Sequence, residues 1–235
     1  MDQVTFLPGS ESVSRVRRMQ DALVVAGLDG ILLFDAMDQF YYAGTMQNGC
    51  LFISAEKGLY YFVRRSLDRA KSESPVKNIF PYVSFRDIAS IMQEADLQVR
   101  KVGVDESILP VSIFKMLQKN FPTSQFQDAG ILQKRIRSIK SPYEIDKMRR
   151  AGEVSRKILE TIPSFLKEGI SEWKLALELH SLVADFGKNC LSRLSPGTGE
   201  FFLGNVCFGD SSLKPTAFDG PGGMPGLSAA CPFGG

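Results

Sequence analysis

Residues 131–150 read ILQKRIRSIKSPYEIDKMRR, and the division of the chain into two parts turns on this stretch. Its second half carries the marks of a helix start. Ser141 can accept a hydrogen bond from a free first-turn amide, Pro142 suits the first helical position, and Glu144 three residues on closes a capping box. From there Ile145, Met148, Ala151, Gly152, Ser155, Ile158, Leu159 and Ile162 fall on one helical face. Asp146 with Arg150, and Glu153 with Lys157, are acid-before-base pairs four apart on the opposite side, each worth about 0.2–0.5 kcal/mol. The stretch therefore reads as a basic linker, residues 131–143, followed by a capped amphipathic helix.

Upstream of that linker the pattern alternates. Residues 10–27 predict a helix with Ser10 as N-cap, an apolar face of Val13, Val16, Leu23 and Ala26, and Gly27 as its stop. Ile31–Phe34 is a short apolar run of the kind found in a buried strand, and Asp35–Ala43 a short helical turn ending at Gly44. Cys50–Ser54 and Leu59–Val63 flank Glu56-Lys57-Gly58, a hairpin turn with glycine at the left-handed position. Helices over 64–71, 85–95 and 111–120 then alternate with strands over 78–83, 101–104 and 124–127, the last at an edge. Such alternation argues for an α/β layer built from local units, here residues 1–130.

Downstream, residues 144–235 open with that amphipathic helix and a second one from Ser171 to Gly187. The stripe of the second helix is Leu175, Leu179, Leu182, Val183 and Phe186. The loop between them is short, so the two should pack as neighbours. Residues 196–235 hold ten of the 21 glycines, five of the 12 prolines and four charged residues, a loop-rich composition. Phe201, Phe202, Val206, Phe208, Phe218, Leu227 and Phe233 punctuate it, which argues for backbone wrapped against a core rather than for disorder.

Composition narrows the function classes. A net charge of +2 is too small to argue for nucleic acid or an acidic membrane surface, and no apolar run approaches the roughly 20 residues of a membrane span. The N-terminus has an early acid and no apolar segment, so it does not read as a secretory signal. Cys50, Cys190, Cys207 and Cys231 show no CxxC pair; buried reduced thiols in a cytoplasmic protein are the favoured reading. Residues 134–150 contain seven basic and two acidic residues, but with a single aromatic they read as a solvated linker and helix face. Gly197-Thr198-Gly199 and residues 220–226 match neither GxGxxG nor GxxxxGK and are read as irregular backbone. His180, the one histidine, borders an apolar stripe without convergent partners, so neither a Ser-His-Asp nor a Cys-His arrangement can be built.

Five segments in register carry a resemblance: GLDGILLFDAMDQFYYAGT (27–45), VGVDESILP (102–110), RIRSIKSPYEIDKMRRAG (135–152), EGISEWKLALEL (168–179) and FGDSSLKPTAFDGPGG (208–223). Together they resemble the creatinase and Xaa-Pro aminopeptidase (proline dipeptidase) family of metallopeptidases, the pita-bread fold. The resemblance implies an α/β protein: an N-terminal mixed-sheet domain, then the incomplete start of an α+β pita-bread domain with two helices and loop-rich strands. It implies a homodimer through the N-terminal domain and cleavage of proline-containing peptides at the bond before proline. The cofactors implied for a complete member are divalent metals (manganese, cobalt or zinc), whose bound hydroxide attacks that bond.

The family's ligand set is two Asp, one His and two Glu, with the two Asp about ten residues apart. After residue 143 the aspartates are Asp146, Asp185, Asp210 and Asp219, the first two on helices and the last two in loops, and the resemblance matches none of them to a ligand. The resemblance places the ligands beyond residue 235, so no catalytic or metal residue is assigned and this chain alone is expected to be inactive. Asp210, Thr216, Phe218 and Asp219 are the residues the resemblance would set along a substrate cleft; Thr216 stands where many relatives carry a histidine. The alternative is a non-catalytic dimerisation or partner-binding module derived from the same family.

Overall fold

A computed structural model describes residues 6–186, 191–193, 200–202, 206–215 and 220. It divides into two compact units, Asp2–Ser141 and Pro142–Gly235. In the first, the elements run α1 (Gly9–Ala26), β1 (Gly30–Leu33), α2 (Ala36–Ala43), β2 (Gly49–Ser54), β3 (Gly58–Val63), α3 (Leu67–Glu73), β4 (Ile79–Pro81), α4 (Phe85–Glu94), β5 (Lys101–Val104), α5 (Val111–Asn120), β6 (Gln125–Asp128) and α6 (Gly130–Ser138).

Six strands form one sheet in the order β4-β3-β2-β1-β5-β6. β2 pairs antiparallel with β1 and with β3, while β1–β5, β5–β6 and β3–β4 are parallel. All strands except β2 therefore point the same way. Successive strand side chains alternate faces, and both faces are covered, so the central strands can be apolar throughout. Ile31, Leu33, Leu51, Ile53, Tyr61 and Val63 face α1, α2 and α6, where Met19, Leu23, Tyr42 and Ile136 complete one core. Leu32, Cys50, Phe52, Tyr60 and Phe62 face the other way, against Ile88, Met92 and Leu117 of α4 and α5. The edge strands break the apolar pattern, β4 with Pro81 and β6 with Gln125, Gln127 and Asp128, which discourages further strand pairing.

The turns follow the chemistry read from the sequence. Gly27 and Gly44 end α1 and α2 in the left-handed conformation at φ 66° and 74°, and Gly58 turns the β2–β3 hairpin at φ 87°. Asp35 caps α2 by accepting from Met37 N at 2.9 Å.

Two readings of this unit change. The cap of α1 is Pro8, not Ser10, and its buried stripe is Ser12, Arg15, Val16, Met19 and Leu23, with Val13 68% exposed and Ala26 on the surface. Ser12 and Arg15 turn inward because they serve α2: Ser12 Oγ donates to Tyr42 O at 2.6 Å and Arg15 Nη1 to Tyr41 O at 2.5 Å. Those carbonyls end a helix and have no intrahelical donor, a demand that an apolar count does not register. The second change concerns the stretch read as a linker. Residues 130–138 form α6, which packs on α1 and buries Gln133 and Ile136.

The second unit begins with α7 (Pro142–Phe165) and α8 (Glu172–Asp185), which pack against each other. Pro142 takes the first position of α7, as the sequence indicates, and Ser171 caps α8, accepting from Lys174 N at 3.1 Å. The Asp146–Arg150 pair forms at 3.0 Å, but Glu153 pairs with Arg156 at 2.7 Å rather than with Lys157. Arg156 also meets Glu160, so one guanidinium serves two carboxylates. The apolar stripe of α7 lies largely open, with Leu159 66% exposed, and Leu175 is the buried residue of α8. An antiparallel pair of β7 (Leu191–Arg193) and β8 (Glu200–Phe202) and a short α9 (Gly209–Leu213) follow.

Candidate functional site

A polar arrangement is buried where α2 meets α6. Asp38, on α2, is 3% exposed, as is Gln133 on α6. Gln133 Nε2 donates to Asp38 Oδ1 at 2.7 Å, and Tyr42 OH donates to Gln133 Oε1 at 2.5 Å, so both ends of the amide are engaged. Arg137, one turn beyond Gln133, brings Nη1 to 3.4 Å from Asp38 Oδ1. Arg18 of α1 continues the network, donating from Nη2 to Tyr41 OH at 2.9 Å and from Nη1 to Ile139 O at 3.0 Å. Gln39 ties the other side of α2 to the sheet, donating to Phe34 O and Gly49 O and accepting from Tyr61 OH at 2.8 Å.

Burial decides the electrostatics. Loss of water around Asp38 pushes its carboxyl up to about 6; the Gln133 amide opposes this, the Asp35 charge adds to it, and Arg137 opposes it. Arg137 does not win because its side chain is 40% exposed and screened, at the limit of hydrogen-bond distance. The Tyr42 hydroxyl is likewise raised well above its ordinary value by burial. A carboxyl closed off from solvent is out of reach of a substrate. The arrangement joins three helices and fixes the end of the first unit up to Ile139.

The residues proposed for a substrate cleft fall elsewhere. Asp210 is exposed in the first turn of α9 rather than in a loop, and Thr216, Phe218 and Asp219 lie outside the described residues. His180 sits half-buried on α8 at the edge of its apolar stripe. Among the described residues no three His, Cys, Asp or Glu side chains converge on a point where a metal ion could be held. No helix among them is long and apolar enough to cross a membrane.

The fold and this joint can be set beside known proteins. The family model for the creatinase/prolidase N-terminal domain matches residues 15–139, which run from Arg15 to the Ile139 carbonyl held by Arg18. The chain belongs to the creatinase/prolidase family. An uncharacterized peptidase of Staphylococcus aureus is 23% identical to this family member over 209 residues, 86% of this chain and 56% of its own length. The creatinase/prolidase fold is shared with an Xaa-Pro dipeptidase from Bacillus anthracis, at a TM-score of 0.67 and 23% identity over 74% of this chain and 49% of that one. The prolidase from Pyrococcus horikoshii OT3 gives 0.64 and 19%, over 75% and 49%. The chain thus spans about half the length of the curated relatives it matches.

Sequence reading missed Asp38, Gln133 and Arg137 as partners. Asp38 lies within a quoted family segment, but Gln133 and Arg137 fall in the stretch that reads as a basic linker. Their i, i+4 spacing, with Leu132 and Ile136 beside them, is the helical signal present there.

Proposed function

We propose that residues 1–235 form the N-terminal domain and opening helices of an Xaa-Pro peptidase. The whole protein would cleave the bond before proline with the help of divalent manganese, cobalt or zinc. Residues 1–235 alone would supply the architecture beside that chemistry without performing it. The observation that carries this reading is the family match over residues 15–139 in a chain spanning about half of relatives named as peptidases. The resemblance supports the second part, since it matches residues 208–223 to a family segment that precedes the metal ligands. The test is to incubate the purified chain with Xaa-Pro dipeptides and tripeptides and manganese, and to follow proline release alongside elemental analysis after gel filtration. The expected result is no release above the blank and no stoichiometric metal; metal-dependent turnover would overturn it.

A second reading is favoured by the first unit itself, whose sheet is covered on both faces without help from residues 142–235. On this reading the unit acts without catalysis, as a homodimerisation or partner-binding module. Light scattering at tens of micromolar should then give twice the monomer mass, and a monomer would count against it. The buried thiol of Cys50 supports placement in a reducing, cytoplasmic compartment under either reading.

A further inference from the structure

Phe34, Arg64 and Tyr82 are the residues that immediately follow β1, β3 and β4, and all three line one cleft. Those strands run in the same direction, so the cleft opens at the carboxyl edge of the sheet. β2 runs the opposite way and accordingly contributes its first residue, Gly49. In open α/β sheets ligands bind at this edge, because the chain leaves successive strands toward different layers and a crevice remains between the departures. Here the far wall is the start of α4 and one side of α5, and the cleft measures about 770 Å³. Sites for small molecules hold about 300–1,000 Å³.

The charged side chains lining it are Arg64, Arg86 and Lys119, all of one sign. The chain as a whole is nearly balanced, with 28 basic and 26 acidic residues, so the bias is local. Among the described residues no carboxylate pairs with any of the three within 4.0 Å. Asp87, next to Arg86 in sequence, directs its Oδ2 to the backbone N–H groups of Val83 and Ser84, each at 2.8 Å. The start of α4 is thus capped from within, and the positive charge offered to an anion in the cleft is that of the three side chains. Like charges around a low-dielectric wall repel one another, and a bound anion relieves that cost. Beside the cations stands an aromatic wall, with Phe34 and Tyr82 at ring-centroid distances of 6.2 and 6.4 Å from Phe85.

We propose that this cleft binds an aromatic organic anion of mononucleotide size. Its phosphate or carboxylate is held by Arg64, Arg86 and Lys119, and its ring lies against Phe34, Tyr82 and Phe85. Every residue involved belongs to the first unit, so the inference stands apart from the peptidase reading.

The test is calorimetric titration of the whole 235-residue chain at low salt with adenosine 5′-monophosphate, hippurate, adenosine and inorganic phosphate. One or both of the first two should bind saturably, with adenosine and inorganic phosphate weaker by at least about ten-fold. The double variant Arg86→Gln/Lys119→Gln and the single variant Arg64→Gln alter exposed side chains, so their melting temperatures should match the parent. The double variant should lose at least about ten-fold in affinity. Tighter adenosine 5′-monophosphate assigns a phosphate to the site, and tighter hippurate a carboxylate. Absence of saturable binding by both, affinity unchanged in the double variant, or adenosine or inorganic phosphate binding as tightly as the aromatic anions would overturn the proposal.

Discussion

Asp38 Oδ1 accepts from Gln133 Nε2 at 2.7 Å across 95 residues of sequence, and this bond ties the second helix of the first unit to its last. Its partners are buried, so the bond was formed at the expense of their hydration. Both this joint and the sheet beneath it have measurable consequences.

Stability should depend on pH through Asp38. Its carboxyl titrates at about 6 in the fold against an ordinary 3.8, so the folded chain holds the proton more tightly than the unfolded one. The stabilisation this gives is complete below about pH 4 and is lost as pH rises through about 6, a loss on the order of 2–3 kcal/mol. Glu73 and Asp87 have the opposite sign: both are depressed by hydrogen bonds, so their contribution disappears only as pH falls below their ordinary values. Thermal melts from pH 4 to 7 on the parent and Asp38→Asn should differ in slope, with the variant flat where the parent declines.

Gln133→Leu should cost about 2–4 kcal/mol, because the buried Asp38 carboxyl and Tyr42 hydroxyl lose their shared partner at once. Urea denaturation would check this. Tyr42→Phe removes one bond of the same chain and should cost about 1–2 kcal/mol.

Gly49→Ala should destabilise more than a surface glycine replacement. A Cβ there would sit 2.1 Å from Phe62 O and 3.2 Å from Val63 Cα, both backbone atoms of β3. The β2–β3 pairing would have to shift, at about 1–3 kcal/mol or more. Gly152→Ala, where a Cβ meets nothing within 4 Å, should be neutral or slightly stabilising, and the pair of melts separates backbone approach from general sensitivity.

Cys50 should resist alkylation in the native chain. It is fully buried and burial raises its thiol strongly, so almost no thiolate is present at neutral pH. Mass-spectrometric mapping should find its peptide modified by iodoacetamide only in denaturant.

Much of the first unit could be read from its residues, because its local chemistry and its packing agree. Asp35 before α2, Gly44 after it and Gly58 in the hairpin each act locally, and each stands where the sequence placed it. The double-faced strands were legible as apolar runs such as 31–34. Gln133 and Arg137 were not, since their role depends on Asp38 and Tyr42, brought near by the fold and invisible to a periodicity. Arg15 failed to register for the same reason: a guanidinium is counted as surface until the carbonyl and ring it serves, Tyr41's, are known to lie over it.

The antiparallel strand in the middle of the sheet also sets a timetable for folding. β1, β2 and β3 are consecutive neighbours that need only short closures, so this half of the sheet can assemble from local encounters. The pairing of Gly30 with Val102 spans α2, β2, β3, α3, β4 and α4, a longer loop that costs more entropy to close and can close only after β5 is made. During synthesis from the N-terminus, one side of β1 therefore stays unpaired until β5 has emerged. Pulsed hydrogen exchange should accordingly protect the amides of β2 and β3 before those of β5; simultaneous protection would contradict this order. The seam between β1 and β5 is where a folding chain is open longest, and where a chaperone or a second unfolded copy would meet it.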